Sequence, residues 1–225
     1  GYLREAYEEA ENFSALLQKR VKGAGFFKTL LLRRLGSSME AGRRTISKLL
    51  GYEPDIPDDE DDDEIEDEAQ PQDLHLQPSK SDFKNYTAAE RTSLERCLTL
   101  LKEGGTNDPK LDAVIPYLRG TQQGTTRSWL DLGCILFSQY YDTVRWVGDE
   151  MAKQGEFAGI DIGLYAGSNR SGFWRNGKFQ RCDRNTLKDR VRSGDLKLLL
   201  GTDAASEGLN LQRLGTLINI DLPWN

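Results

Sequence analysis

The sequence predicts an α/β fold, a parallel sheet with flanking helices, preceded by a helical region and an acidic linker. Two apolar runs carry the sheet: Leu198, Leu199 and Leu200, then Leu217, Ile218, Ile220 and Leu222. Neither alternates with polar residues, the pattern of strands covered on both faces. From Ser128 onward strand-like and helix-like stretches alternate, and repeated β–α–β order builds a parallel sheet with crossover helices on both faces. A third observation separates this part from the rest. Residues 58–68 read DDEDDDEIEDE, ten acids in eleven positions, which repel one another and offer almost no apolar surface to bury.

In chain order, residues 2–21 place Leu3, Ala6, Tyr7, Ala10, Phe13, Leu16 and Leu17 at helical spacing, and Gly23-Ala24-Gly25 interrupts them. Residues 26–35 read as a second helix. Ser37 with Glu40 fits a capping box opening a third, through about Leu50. Residues 53–81 add Pro71, Pro78 and many polar residues to the acidic run and read as a disordered linker. Thr87 with Glu90 is a second capping box, opening a helix through about Lys102 that Gly104-Gly105 ends. Asp108-Pro109 reads as an N-cap and first helical position. Leu111, Val114, Ile115 and Leu118 give the following helix a buried face, which Gly120 can stop. Then come a strand at 134–137, an amphipathic helix over 141–153 with Val144, Val147 and Met151 inward, a strand over 160–165, a helix capped by Asp183 through about Val191, and a strand over 196–200.

The overall charge of −6 is uninformative until it is divided. Without the acidic run, 26 acids face 30 basic residues, so the remainder is mildly basic and permits nucleic-acid binding. No apolar run approaches the ~20 residues of a membrane span, and no signal-peptide pattern opens the chain. Cys97, Cys134 and Cys182 are widely spaced and odd in number, which predicts reduced thiols in a cytosolic protein. His75 is the single histidine and lies in the polar linker, which argues against a His-based metal site or a Ser-His-Asp triad.

Residues 198–225, LLLGTDAASEGLNLQRLGTLINIDLPWN, closely resemble motif V and the approach to motif VI of superfamily 2 helicases, with the Swi/Snf-like and bacterial members nearest. ILFSQYYDT at 135–143 resembles motif IV of the same group, one plausible lobe-length earlier. FFKTLLLRRLGSSMEAGRRTISKLL resembles the segment that joins the two motor lobes, and the family often has a lysine where Lys110 stands. The resemblance covers about 128–225 well and 26–118 loosely. It implies a RecA-like second motor lobe. The expected domains are a helical joining region at 1–52, the acidic linker at 53–81 and a C-terminal RecA-like lobe at 82–225 that stops before motif VI.

It also implies roles. Ser138 and Gln139, at a strand end, and Thr202 and Asp203 are the nucleic-acid candidates, because hydroxyls, amides and free backbone N–H groups there can hold phosphates. Glu207, Gly208 and Asn210 are the nucleotide candidates, with a carboxylate and an amide for a ribose hydroxyl and a glycine for close approach. Residue by residue, turn chemistry and helix capping explain the same pattern. Arg33, Arg34, Arg43 and Arg44 are either nucleic-acid contacts or a solvated helix face.

The expected cofactors are ATP and Mg2+ in a full-length protein, with neither held by this piece alone and no catalytic or metal-binding residue in it. The expected partners are nucleic acid, DNA in preference to RNA, and the first RecA-like lobe. The expected setting is the bacterial cytoplasm, on the nucleoid. Gly172-Phe173-Trp174-Arg175-Asn176-Gly177-Lys178-Phe179 nearly spells the phosphate loop G-x-x-x-x-G-K-[ST], but Phe179 lacks the hydroxyl that reaches magnesium, and no apolar strand leads into Gly172. It reads instead as an exposed insertion whose Trp174, Arg175 and Lys178 are candidate nucleic-acid contacts. Two rival functions remain at this level. One is a non-catalytic interaction module whose acidic run binds a basic partner. The other is a small phosphoryl-transfer enzyme using Lys178.

Overall fold

The computed structural model describes residues 1–21, 24–52, 85–105, 108–121, 127–167, 169–202 and 213–221. The chain divides into two compact units, Gly1–Gly105 and Thr106–Asn225. The expected acidic linker, 53–81, lies wholly outside the described residues.

The first unit contains helices α1 (Tyr2–Arg20), α2 (Gly25–Ser37), α3 (Met39–Leu50) and α4 (Ala88–Glu103). Ala6, Ala10, Phe13 and Leu17 recur every three or four residues along α1, so they share one face. That face is buried in one cluster with Leu94, Cys97, Leu98 and Leu101 of α4. The sequence grouped α4 with 82–225, but this apolar stripe packs it in the helical unit. The cap of α3 is Ser38 rather than Ser37: Ser37 is the last residue of α2, and Ser38, in extended backbone, accepts a hydrogen bond from the Ala41 amide. Arg34 is 4 % exposed, and Arg43 and Arg44 pair with Glu40, so these arginines do not make up one solvated face.

The α4 capping box forms as the sequence predicts. The Glu90 amide donates to Thr87 Oγ1 at 3.2 Å, and the Thr87 amide donates to Glu90 Oε2 at 2.8 Å. Glu90 is buried and also accepts from both Arg20 Nε and Nη2, at 3.2 and 2.9 Å. Burial pushes its carboxyl upward, but Arg20 and the Thr87 amide outweigh that and hold it below its ordinary value.

The second unit opens with α5 (Pro109–Arg119), capped by Asp108, and the short α6 (Trp129–Leu132). Then follow β1 (Cys134–Phe137), α7 (Tyr141–Lys153), β2 (Ile162–Tyr165), β3 (Gly172–Arg175), β4 (Lys178–Arg181), α8 (Arg184–Ser193), β5 (Leu198–Gly201) and β6 (Thr216–Asn219). The sheet order is β4-β3-β2-β5-β1-β6. Strands β1, β2, β5 and β6 are parallel, while β3 and β4 form an antiparallel hairpin. Leu198 and Leu200 join the core on the α5 and α7 face, and Leu199 joins the one on the α8 face. An unalternated run is therefore what a central strand between two helix layers requires. For β6 the same expectation fails. Among the described residues it pairs with β1 alone, at the end of the strand order, and Leu217 is 53 % exposed.

The phosphate-loop look-alike is the β3–β4 hairpin. Its backbone is engaged in strand pairing, Trp174 opposite Phe179 and Arg175 opposite Lys178, rather than leading into a helix that could cradle phosphate. Asn176 and Gly177, at φ 50° and 75°, make the tight turn, and an Asn-Gly pair is the sequence signal for such a hairpin. Trp174 is not an exposed contact. It is 1 % exposed, donates from Nε1 to Asp149 at 2.8 Å, and lies against Gly148, where an added Cβ would stand 2.2 Å from the indole. Arg175 is taken up by Asp161.

Candidate functional site

In an open parallel sheet, ligands gather beyond the C-terminal ends of the strands. Here the register pairs Phe137 with Gly201 and with Asn219, and Tyr165 with Gly201, so four strands end level. The next backbone bonds continue each ladder by one step: Ser138 N–H to Gly201 O at 3.1 Å, Thr202 N–H to Tyr165 O at 3.2 Å, and Ile220 N–H to Phe137 O at 2.8 Å. Ser138 and Thr202, distant in sequence, thus stand one residue beyond the ends of adjacent strands on one edge.

Asp221 organises the turn after β1. Its Oδ2 accepts from Ser138 Oγ at 2.5 Å and from the Gln139 amide at 2.9 Å, while Ser138 Oγ accepts from the Tyr140 amide at 3.1 Å. Lys110, in the first turn of α5, donates from Nζ to Ile220 O at 2.8 Å and stands 3.8 Å from Asp221 Oδ1. The Asp221 side chain is 7 % exposed. Ser138 is fully buried and its hydroxyl is engaged, whereas Gln139 is half-buried at the rim. Thr202 is 6 % exposed. Asp203, Glu207, Gly208 and Asn210 lie outside the described residues.

The sequence reading missed Asp221, although the signal was present: an acid closing an apolar strand, in the wording INIDLPWN. It also missed the cations beyond β2. Arg184 Nε donates to Ala166 O at 2.9 Å, and Arg184 and Lys188 lie 5.4 and 5.8 Å from the centre of the Tyr165 ring. Tyr141, at the start of α7, has its phenol pushed upward by burial against the opposing pull of Arg145, Arg170 and Arg181.

A cleft of about 410 Å³ beside Lys110 is lined mostly by apolar groups, among them Val114, Tyr117, Trp129 and Leu217. Among the described residues no group of three or more His, Cys, Asp or Glu could hold a metal ion. No described helix is long and apolar enough to cross a membrane. Cys97, Cys134 and Cys182 are free thiols.

Two known protein groups resemble the second unit. The profile of the helicase conserved C-terminal domain matches residues 131–225. The chain is also similar to the uncharacterized ATP-dependent helicase YqhH of Bacillus subtilis (strain 168), 32% identical over 90 residues. That match takes in 39% of this chain and 16% of the relative's length. Residues 131–225 therefore match the helicase conserved C-terminal domain, and together the two similarities support a second-lobe domain of the superfamily 2 kind.

Proposed function

We propose that this lobe serves an ATP-dependent nucleic-acid translocase or helicase, contributing part of the grip on a strand and one wall of the ATP cleft. The observation that supports this best is the shared edge, on which Gln139 and Thr202 follow neighbouring strands β1 and β5. In this reading Gln139, Thr202 and Asp203 contact the nucleic-acid backbone. Ser138 acts through Asp221: with its hydroxyl engaged, it holds the Gln139 turn in place. Glu207, Gly208 and Asn210 face the ribose and phosphates of ATP. DNA is the preferred strand, and a first RecA-like lobe is the partner across the cleft. Mg2+ would accompany ATP, neutralising phosphate charge. In this reading its protein ligands belong to the first lobe. Each ATP cycle closes and reopens the two lobes, and the edge shifts its hold along the strand. The setting of this reading is the bacterial cytoplasm, on the nucleoid.

The test is steady-state phosphate release, with and without DNA or RNA, in a protein that joins this lobe to a first motor lobe. Glu207→Ala should lower turnover by about tenfold or more, the scale of one lost transition-state or nucleotide contact. Thr202→Ala should chiefly reduce stimulation by nucleic acid. The 225-residue chain alone should release phosphate at background rate. Robust turnover by it, abolished by Lys178→Ala, would overturn the motor reading.

A further inference from the structure

We propose that the β3–β4 hairpin and α8 carry the gripping edge outward as a row of cations, Arg170, Arg181, Arg184 and Lys188, that takes the sugar–phosphate backbone of a nucleic acid. This rests on the motor reading above and extends it to residues outside the helicase motifs.

Topology is the first observation. Strand β3 runs back from the C-terminal edge, the Asn176-Gly177 turn reverses it at the opposite edge, and β4 returns. Gly172 pairs with both Leu164 and Arg181, which sets Arg181 level with the end of β2. The Cys182 amide then donates to Ser171 O at 3.2 Å, continuing the β3–β4 pairing one step past Arg181 toward the segment that holds Arg170. Asp183 caps α8 at once, so Arg184 starts that helix on the same edge. From Ser138 to Arg181 the row crosses four inter-strand steps, about 19 Å at about 4.8 Å each. That is the rise of between five and six base pairs at about 3.4 Å each.

Charge is the second. Residues 170–197 hold nine basic residues and three acidic ones, in a chain of net charge −6. All three acids have local work: Asp183 accepts from the Thr186 amide, Asp189 pairs with Arg192, and Asp195 accepts from Ser193 Oγ. Asp161 takes Arg175 and Arg190, and Asp149 takes Arg145. Among the described residues Arg181, Arg184 and Lys188 make no ion pair.

Orientation is the third. Arg170 stacks 4.9 Å over the Tyr141 ring, and Arg184 is anchored to Ala166 O while both it and Lys188 overlie Tyr165. A guanidinium held in place and making no ion pair among the described residues, as Arg184 is, suits phosphate, which it binds bidentately.

The experiment uses the whole 225-residue chain and fluorescently labelled DNA and RNA, single-stranded and duplex, across a salt series. Arg181→Glu with Lys188→Glu should weaken binding by about tenfold or more. It should also flatten the slope of log affinity against log salt by about 1.8 for duplex, or about 1.4 for single strands, as expected for two lost phosphate contacts. The neutral pair Arg181→Gln with Lys188→Gln should lose less. Lys178→Glu with Lys197→Glu makes the same charge change at the opposite edge and should bind almost as the parent does. If the parent binds and both glutamate pairs weaken it equally, or neither does, the row is overturned while the motor reading stands. If a polyglutamate peptide competes as well as DNA of equal charge, phosphate recognition at this row is also overturned. If the parent binds no nucleic acid, the row and the grip assigned to this lobe fall together.

Discussion

Glu90 in one compact unit and Asp221 in the other are acids with largely buried side chains held at turns, and the two are satisfied differently. Glu90, in the helical unit, closes a capping box, and both its oxygens accept from Arg20. Asp221, in the sheet unit, spends one oxygen on Ser138 and Gln139, while its other oxygen has no hydrogen-bond partner among the described residues and has only Lys110 nearby, at 3.8 Å. A fully satisfied buried carboxylate fixes a helix start and contributes to stability. A half-satisfied one carries a desolvation cost that folding does not recover. That cost is tolerated at the C-terminal edge of the sheet, where the helicase-family match and the level strand ends coincide. The difference separates an acid satisfied on both oxygens from one satisfied on a single oxygen at the edge proposed above for nucleic-acid grip.

The surrounding cores set the largest expected effects. Trp174→Ala should cost the sheet unit about 3–5 kcal/mol, and Phe13→Ala should cost the helical unit a similar amount. Trp129, Trp146, Trp174 and Trp224 all lie beyond Gly105, so tryptophan fluorescence during denaturation reads the sheet unit alone. The comparison breaks if Phe13→Ala shifts that fluorescence transition as far as Trp174→Ala does.

Glu90→Gln should cost about 2 kcal/mol, the scale of losing hydrogen bonds to a charged group, read from the helical circular-dichroism signal. Acid should have the same effect. Glu90 has a folded pKa below its ordinary 4.5, so its contribution is complete above that value and is lost as pH falls through the folded pKa. Asp161, held low by Arg175 and Arg190 against the opposing push of burial, gives the sheet unit the same sign below 3.8. A helical unit whose stability in acid is unchanged by Glu90→Gln would remove Glu90 from this role.

Asp221→Asn should cost less stability, about 1 kcal/mol, because one of its two oxygens is poorly satisfied already. It should nonetheless weaken nucleic-acid binding by loosening the Gln139 turn. Equal losses of stability from Glu90→Gln and Asp221→Asn would erase the contrast between them. The smallest effect belongs to Leu217→Ser, within about 0.5 kcal/mol, since that leucine is half in water. A loss on the scale of a buried leucine would show that β6 is covered.

Much of this was legible locally. The helix over 141–153 was read to the residue, because its apolar spacing and its burial repeat in the same period. Thr87 with Glu90, and Asp108-Pro109, announced helix starts by chemistry contained in four residues. The shift from Ser37 to Ser38 shows the limit of such signals: two adjacent serines offer the same hydroxyl, and only backbone conformation chooses between them. The Asn-Gly turn was equally local, yet the phosphate-loop spelling drew attention away from it.

The sequence by itself determined most of the secondary elements, though not the β3–β4 hairpin, together with the α/β class and the resemblance of 198–225 to the helicase motifs, since each is written in neighbouring residues. Only the tertiary structure decided which strands lie at the centre and which at the edge. Two runs of similar composition became a buried β5 and a half-exposed β6 because strand pairing joins residues more than sixty positions apart. The same long-range register brought Ser138 to Asp221, set Trp174 against Gly148 and returned Arg181 to the edge of β2, contacts for which no local pattern exists.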